Sequence, residues 1–443
     1  MKTLALILFM AASTLSFAQV RSFSLEEAQE YALIHSLEAK NANLELSIAE
    51  SQIKQTTAIG LPQVSAGLNF QNFIDIPTSL VPAEFFGGQP GEFAEVQFGT
   101  EYNTTAELSA NQLIFDGAYI VGLRAARVYR DVARQSKEKS AQAIKTNVAN
   151  TYYTILVAEE NQRILTKTKA NLEEALFEIT RLYEEGFLEE TEKDQMELSL
   201  GQVESNLNRI NRQIKITYDM LKFQMGIELG EKIKLADNLE LVMKRVNPGA
   251  LLSRDFEIDS NIDYSLAKTQ TELQRLNWKK EQMGYLPKLG LFFNHQQSAQ
   301  RNQFNFFDAD ETWYPTTIWG VNLSVPILSS GLRYQTTQQA RIQYEMAMIN
   351  QERTQNNLML QEANARANFL AAADQYKMEE KNMKLALRIF DTSLIKYQEG
   401  LISGIDLNQI HNQLLSSQAS YIQSILDYLE AKNNFETTLE SFE

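Results

Sequence analysis

All eight prolines of this 443-residue chain fall at positions 62, 77, 82, 90, 248, 287, 315 and 326, so residues 91–247 and 327–443 contain none. A proline inside a helix costs about 3 kcal/mol, and both proline-free stretches are rich in Ala, Leu, Gln, Glu, Lys and Asn. These are the regions where very long helices fit. From Gly117 to Tyr183, and again from Gly331 to Tyr397, no strong breaker interrupts the sequence. A helix of about 66 residues extends on the order of 100 Å at 1.5 Å per residue, far beyond an ordinary globular helix. Shorter return helices are expected over about 189–225 and 403–440.

The two long segments belong to a tandem duplication. Gly60-Leu61-Pro62-Gln63-Val64-Ser65-Ala66-Gly67-Leu68 recurs as Gly284-Tyr285-Leu286-Pro287-Lys288-Leu289-Gly290-Leu291. Leu113-Ile114-Phe115-Asp116-Gly117 recurs as Ile327-Leu328-Ser329-Ser330-Gly331, and Tyr183-Glu184-Glu185-Gly186 as Tyr397-Gln398-Glu399-Gly400. The glycines of the last two pairs, 117 and 331, 186 and 400, share one spacing of 214 residues. Each copy then runs helix, strand, strand, long helix, tight break, return helix. The first copy opens with a helix expected over Ser24–Ile59. Ser24 followed by Glu27 forms a capping box, and Pro62 ends the helix by pushing its predecessor out of the α region.

The strands alternate with period two. Val64, Ala66, Leu68 and Phe70 alternate with Ser65, Gly67, Asn69 and Gln71. Val96, Phe98, Tyr102, Ala106, Leu108 and Ala110 oppose Gln97, Glu101, Asn103 and Glu107. Leu289, Leu291 and Phe293 repeat the first strand in copy two; Trp313, Trp319, Val321, Leu323 and Val325 repeat the second, with a parity flip that implies a one-residue slip or bulge near the strand end. The strands span about 62–75, 94–114, 287–298 and 312–328, and the loops at about 71–95 and 299–311 are rich in Pro, Gly, Gln, Asn and Asp. One apolar face backed by a polar one also describes a soluble sandwich, but four strands split between long helices make a poor one. They cannot close a barrel alone either, so closure needs several chains.

The long helices carry the marks of a wall. On the last helix Leu415, Ala419, Ile422, Leu426 and Leu429 form one heptad stripe, and Leu407, Ile410, Leu414, Ser417 and Tyr421 a second beside it. Two adjacent stripes mean neighbours on both flanks, as for a stave in a barrel or a helix with a wide face in a bundle. Asn350-Gln351-Glu352-Arg353-Thr354-Gln355-Asn356-Asn357 covers two turns without an apolar residue, and Ser136–Ala143 is its counterpart. A helix wet on all sides suits a hollow tube better than a solid bundle.

Composition excludes several classes. Residues 1–18 read as a secretory signal: Lys2, an apolar run from Leu4 to Ala12, then Ser16-Phe17-Ala18, with Gln19 opening the mature chain. That run is too short for the ~30 Å hydrocarbon core, and nothing later is apolar enough for a spanning helix, so membrane insertion would require strands closed into a barrel. A formal net charge of −15 argues against nucleic acid. With no cysteine there is no disulfide, no thiolate metal site and no lipid attachment after the signal. His35, His295 and His411 have no zinc spacing and no nucleophile partner. No phosphate loop or GxGxxG is present, and the twelve methionines, Met346, Met348 and Met359 among them, read as core filler. No enzymatic chemistry and no cofactor are expected.

Ser24-Leu25-Glu26-Glu27-Ala28, Leu61-Pro62-Gln63-Val64-Ser65, Val325-Pro326-Ile327-Leu328-Ser329-Ser330-Gly331-Leu332-Arg333 and the twin Tyr-x-x-Gly breaks together resemble the TolC-like outer membrane efflux proteins. The resemblance covers essentially residues 22–440. It implies an α+β membrane protein built as a homotrimer, with one twelve-stranded transmembrane β-barrel continuous with a periplasmic α-helical barrel. The segments would be a first repeat at 19–230, an inter-repeat equatorial segment at 231–262 and a second repeat at 263–443. It further implies outer-membrane lipid, a periplasmic adaptor and an inner-membrane pump or ABC exporter as partners. The function would be passive passage of small molecules, metal ions or polypeptides in efflux or type I secretion. Barrel and tunnel would join at Pro62, Pro287, Gly117, Pro326 and Gly331. The hairpin tips at Tyr183, Gly186, Tyr397 and Gly400 would meet the adaptor. Six positions past each tip glycine, Glu192 and Asp406 would form the periplasmic gate; Gln409 stands where a further acid is known in the family, while Glu189, Glu190 and Asp194 crowd the first tip. A periplasmic adaptor lacks this duplicated order, and a structural envelope coiled coil lacks the alternating strands.

Overall fold

A computed structural model describes residues 21–440; the expected signal segment lies outside the described residues. In chain order β1 (Arg21–Phe23), α1 (Leu25–His35) and α2 (Leu37–Ile59) precede β2 (Gln63–Asn72), β3 (Thr78–Pro82), β4 (Phe93–Gln97) and β5 (Tyr102–Phe115). Then come α3 (Gly117–Glu184) and α4 (Glu190–Met225), followed by β6 (Ile233–Leu235), α5 (Leu239–Arg245) and α6 (Pro248–Leu252). The chain continues with α7 (Ile262–Met283), β7 (Lys288–Arg301), β8 (Tyr314–Ser324), α8 (Leu332–Gln398) and α9 (Gly404–Leu439). α3 and α8 have 68 and 67 residues, and α4 and α9 have 36 each. No described helix is long and apolar enough to cross a membrane.

The chain divides into two compact units: Met1–Leu46, Ala133–Lys268 and Asn350–Glu443 make one; Ser47–Val132 and Thr269–Ile349 make the other. The second contains a four-stranded antiparallel sheet of order β2-β5-β7-β8. Its register puts Val64, Ala110, Phe293 and Trp319 in one cross-strand row and Ser65, Ser109, Asn294 and Ile318 in the next. One face is therefore largely apolar, and the other carries Asn69, Gln71, Asn103, Thr105, Ser109 and Gln296.

The strands depart from expectation in three places. The stretch 94–114 is not one strand: its first residues form β4, which pairs with β3 as a separate hairpin, and β5 starts only at Tyr102. Gly99, at φ +130°, supplies the turn between them. β8 stops at Ser324 rather than near 328, because its ladder partner β7 begins at Lys288 opposite it and Pro326 has no N–H to offer. β8 also pairs with β7 without interruption; the register irregularity lies in β5, between Leu113 and Phe115.

In the helical unit the core gathers Val148, Tyr152 and Ile155 of α3, Leu221 and Met225 of α4, Leu429 of α9 and Ala28 and Ala32 of α1. β1 pairs in parallel with β6, a link that three-residue strands leave invisible in sequence. The buried Tyr152 hydroxyl joins them: it lies 3.0 Å from both the Phe23 carbonyl and the Asp237 carboxylate, and the same carboxylate accepts the Leu25 N–H. Burial, with the Asp237 carboxylate beside it, pushes the Tyr152 phenol up from its ordinary pKa. Between α8 and α9 the rings of Tyr421, Tyr376, Tyr428, Phe369 and Phe435 stack in series at centroid spacings of 5.5–6.1 Å, with the Arg366 guanidinium over the last ring. None of Asn350–Asn357 is buried.

The helix expected over Ser24–Ile59 is broken at Ser36, whose ψ of 150° leaves the helical region. Gly226 caps α4 at φ +73° and sits against that break: a Cβ there would stand 2.3 Å from the His35 carbonyl oxygen. Gly400 shares the positive φ, but a Cβ there would meet nothing within 4 Å. Gly400→Ala therefore costs only the left-handed backbone penalty of about 1–2 kcal/mol. Gly226→Ala adds a backbone clash, and its thermal midpoint should fall clearly further than that of Gly400→Ala in parallel melts; equal shifts would mean the α1–α2 break is not held by Gly226.

Candidate functional site at the helical hairpin tips

Both long helices end in the same way. Past α3 the Gly186 N–H donates to the Tyr183 carbonyl at 2.9 Å and the Phe187 N–H to the Leu182 carbonyl at 2.9 Å. Past α8 the Gly400 N–H donates to Tyr397 at 2.9 Å and the Leu401 N–H to Lys396 at 2.8 Å. These paired bonds satisfy the last carbonyls and require a left-handed residue between them; the glycines supply it at φ +82° and +71°. In such a cap the next residue usually packs back on the helix. Here it does not: Phe187 is 74% exposed and Leu401 72%. Sequence reasoning passed over both, although an apolar residue follows each Tyr-x-x-Gly break.

The two acids six positions past the tip glycines have different settings. Asp406, exposed in the first turn of α9, completes a capping box: its carboxylate accepts from the Ser403 N–H at 3.3 Å and hydroxyl at 2.7 Å, while Ser403 Oγ accepts the Asp406 N–H at 3.2 Å. Glu192, in the first turn of α4, is half-buried against the other copy's tip. The Tyr397 hydroxyl donates to Glu192 Oε2 at 2.8 Å, and Gly404 packs on the Glu192 side chain so closely that a Cβ would stand 3.3 Å from Glu192 Cγ. Burial first, then the hydrogen bond and charge of Glu192, push the Tyr397 phenol up. Tyr183 has no such partner; Lys193 Nζ lies 5.9 Å from its ring centre instead. Glu189, Glu190, Asp194 and Gln409 are exposed.

Behind the Tyr397–Glu192 pair lies a cavity of about 10 Å³ lined by Gln195, Ser199, Phe390 and His411, among others. His411 is 2% exposed, its ring is 5.5 Å from that of Phe390, and neither ring nitrogen has a hydrogen-bond partner. Burial holds its pKa down at about 4. The buried side of α9 includes Leu407, His411, Leu414, Ser417, Gln418, Ile422, Ser424, Ile425 and Leu429, so His411, Gln418 and Ser424 join it although neither sequence stripe contained them.

The expected junction residues lie in the sheet unit. Pro62 and Pro287 directly precede β2 and β7. Gly117 opens α3 under the end of α7, where a Cβ would stand 2.9 Å from Leu286 Cδ1. Asp116 caps α3 through the Ala118 and Tyr119 N–H groups and pairs with Lys288 at 2.9 Å. In the second copy a longer turn, residues 325–331, holds Pro326 and two left-handed residues, Ser330 and Gly331. Among the described residues no cluster of side chains could hold a metal ion.

The outer membrane efflux protein family model matches residues 30–226 and 261–439. No curated protein sequence matches the chain. Among solved structures, CusC, studied for its folding and transmembrane channel formation, aligns with a TM-score of 0.74 at 15% identity, covering 95% of this chain and 92% of that one. The Vibrio cholerae outer membrane protein VceC aligns at 0.71 with 16% identity, covering 94% and 96%. The Campylobacter jejuni outer membrane channel CmeC aligns at 0.71 with 17% identity, covering 94% and 85%.

The buried imidazole gives the tip a pH dependence with a definite sign. Between an ordinary pKa of 6.5 and the folded value of about 4, the unfolded chain binds a proton that the native state refuses. Stability therefore falls as pH falls through this window, by about 1.4 kcal/mol per pH unit at most. Among the described residues Glu192 is the one carboxylate lining the cavity. His411→Met should flatten the decline in thermal midpoint between pH 7.5 and 5; parallel declines in parent and variant would exclude His411 as its source.

Proposed function

The chain belongs to the outer membrane efflux protein family, and from that premise we propose that three copies of it form the exit duct of a tripartite export system. It is a channel protein of the cell outer membrane with a periplasmic extension, and not an enzyme. Efflux channels of this kind are trimeric and work with adaptor and inner-membrane pump partners.

The observation that carries the reading is a sheet with two open edges. β2 and β8 lie at the ends of the order β2-β5-β7-β8. In hydrocarbon each unpaired backbone N–H or C=O costs several kcal/mol, so the edges must be paired. Joining β8 of one copy to β2 of the next closes twelve strands around a threefold axis, turning the face with Val64, Leu68, Phe293 and Trp319 to lipid and the amide-rich face inward. Glu107, bonded by Asn294 at 2.6 Å, puts a carboxylate on that inner face. The two helix–strand–strand–long helix–return helix copies then supply the staves of an α-helical tunnel, wet inside and out at Asn350–Asn357.

The hairpin tips form the periplasmic entrance. Glu192 and Asp406 line it, the Tyr397–Glu192 bond and the Glu192–Gly404 contact hold the two tips of a chain together, and exposed Phe187 and Leu401 offer apolar footholds to the adaptor. Small molecules, metal ions or polypeptides pass passively, driven by the pump or exporter behind the adaptor.

Size measurement in detergent should find a trimer; a well-folded monomer would overturn the architecture. In planar bilayers the channel should favour cations and be blocked by trivalent cations from the periplasmic side. Glu192→Gln with Asp406→Asn keeps the oxygen acceptors for Tyr397 and Ser403 and removes six charges per trimer, so both properties should largely disappear. Unchanged selectivity and block would place the constriction elsewhere. Phe187→Ser with Leu401→Ser should weaken crosslinking to the adaptor at undiminished trimer yield, and full crosslinking would remove these side chains from docking.

A further inference from the structure

The apolar face of the sheet is covered at its loop end. Phe70, Thr104 and Ala299 are cross-strand neighbours in one row of that face, the face that also carries Val64, Leu68, Leu108 and Trp319. Those four are exposed, yet Thr104 is 6% exposed and Ala299 0%. The cover is the loop of the second hairpin, residues 302–313. Phe306, itself buried, meets the Phe70 ring edge-on at 5.9 Å; Phe304 meets Phe70 at 5.7 Å and Tyr102 at 6.2 Å; Trp313 lies 6.3 Å from Phe306.

This loop is a built structure. Glu311 accepts from Asn305 Nδ2 at 2.6 Å and pairs with the buried Arg301 guanidinium at 3.4 Å, and Arg301 donates to the Thr312 carbonyl at 2.9 Å. Polar groups closed in with this hub, Thr104 Oγ1, Arg301 Nε and Asn305 Oδ1, have no partner, so the aromatic cover is held in place at a cost in hydrogen bonding. What the hub displays is apolar. Phe307 is 90% exposed and Phe304 61%, and Asp308 and Asp310 follow at once.

We infer that the loop 302–313 is an interfacial anchor, folded back over the outer face of the barrel so that Phe304 and Phe307 insert into the lipid at the membrane's exterior boundary. The inference rests on the barrel reading above, because it takes the apolar sheet face as the lipid face. Continuity with that face selects lipid as the occupant: the rings stand at its upper rim, the level where barrel proteins carry aromatic girdles. A phenylalanine ring gains by transfer out of water, and Phe307, 90% exposed, leaves that gain unrealised within the chain. Asp308 and Asp310 limit the depth, since a carboxylate resists entering hydrocarbon.

The chain has no cysteine, so single-cysteine variants can be labelled without background. Phe307→Cys, Phe304→Cys and, as a reference on the sheet face itself, Trp319→Cys would each carry an environment-sensitive fluorophore in proteoliposomes. Nitroxide-bearing lipids report contact with lipid and aqueous iodide reports contact with water. All three labels should lose intensity to nitroxide lipids and be shielded from iodide, with position 307 shallower than 319. Iodide quenching at 304 and 307 with lipid quenching at 319 would overturn the anchor and leave the barrel intact. Protection of 304 and 307 from both quenchers would overturn it in favour of a neighbouring copy. Iodide quenching at all three would take the barrel reading down with it.

Discussion

A strand edge facing hydrocarbon is intolerable, and most of this molecule's organisation can be traced to that constraint. The four-stranded sheet satisfies its three internal ladders and leaves β2 and β8 open. Water would satisfy those edges at little cost; lipid cannot. In the trimer proposed above the edges satisfy one another, which explains a sheet too small to stand alone and a face that leaves Val64, Leu68 and Trp319 exposed below the loop that covers its end. It also gives the duplication a physical sense, since two copies per chain and three chains bring equal parts to one ring.

Tyr152, bonded to Phe23 and Asp237, and the ring series from Tyr421 to Phe435 tie α1, α3, α8 and α9 together with large buried side chains. Nearer the tips Gln195, His411 and Gln418 each bury a polar atom without a partner among the described residues, as Gln135 and Gln224 do elsewhere in the helical unit. The two tips are alike in backbone and unlike in side chains, because Tyr397 finds Glu192 and Tyr183 finds Lys193. The two tips of a chain thus share one such hydrogen bond.

Much of this was legible in the sequence, for local reasons. Proline positions and the Tyr-x-x-Gly breaks located the four principal helices to within about two residues, since backbone restriction at Pro and left-handed freedom at Gly act on their immediate neighbours. Alternation in Val64–Gln71 named the two faces of the sheet because side chains along a strand must point to opposite sides. The family resemblance supplied the outer membrane and the channel. Local reasoning failed wherever a distant residue decided the matter. The helix break at Ser36 lies against Gly226, β4 leaves its strand to pair with β3, and β1 pairs with β6 from the far end of the first copy.

By itself, then, the sequence determined a twofold repeat of long helices and amphipathic strands, acidic and without cysteine, suited to a channel wall. Only the tertiary structure decided which of the matched positions became partners. Glu192 lies 205 residues from Tyr397, His411 is buried between helices from both copies, and the loop at 302–313 folds onto Phe70 from the first. Hydrogen bonds and packing depend on distance in space, and a spacing in sequence fixes that distance only along one helix or one strand.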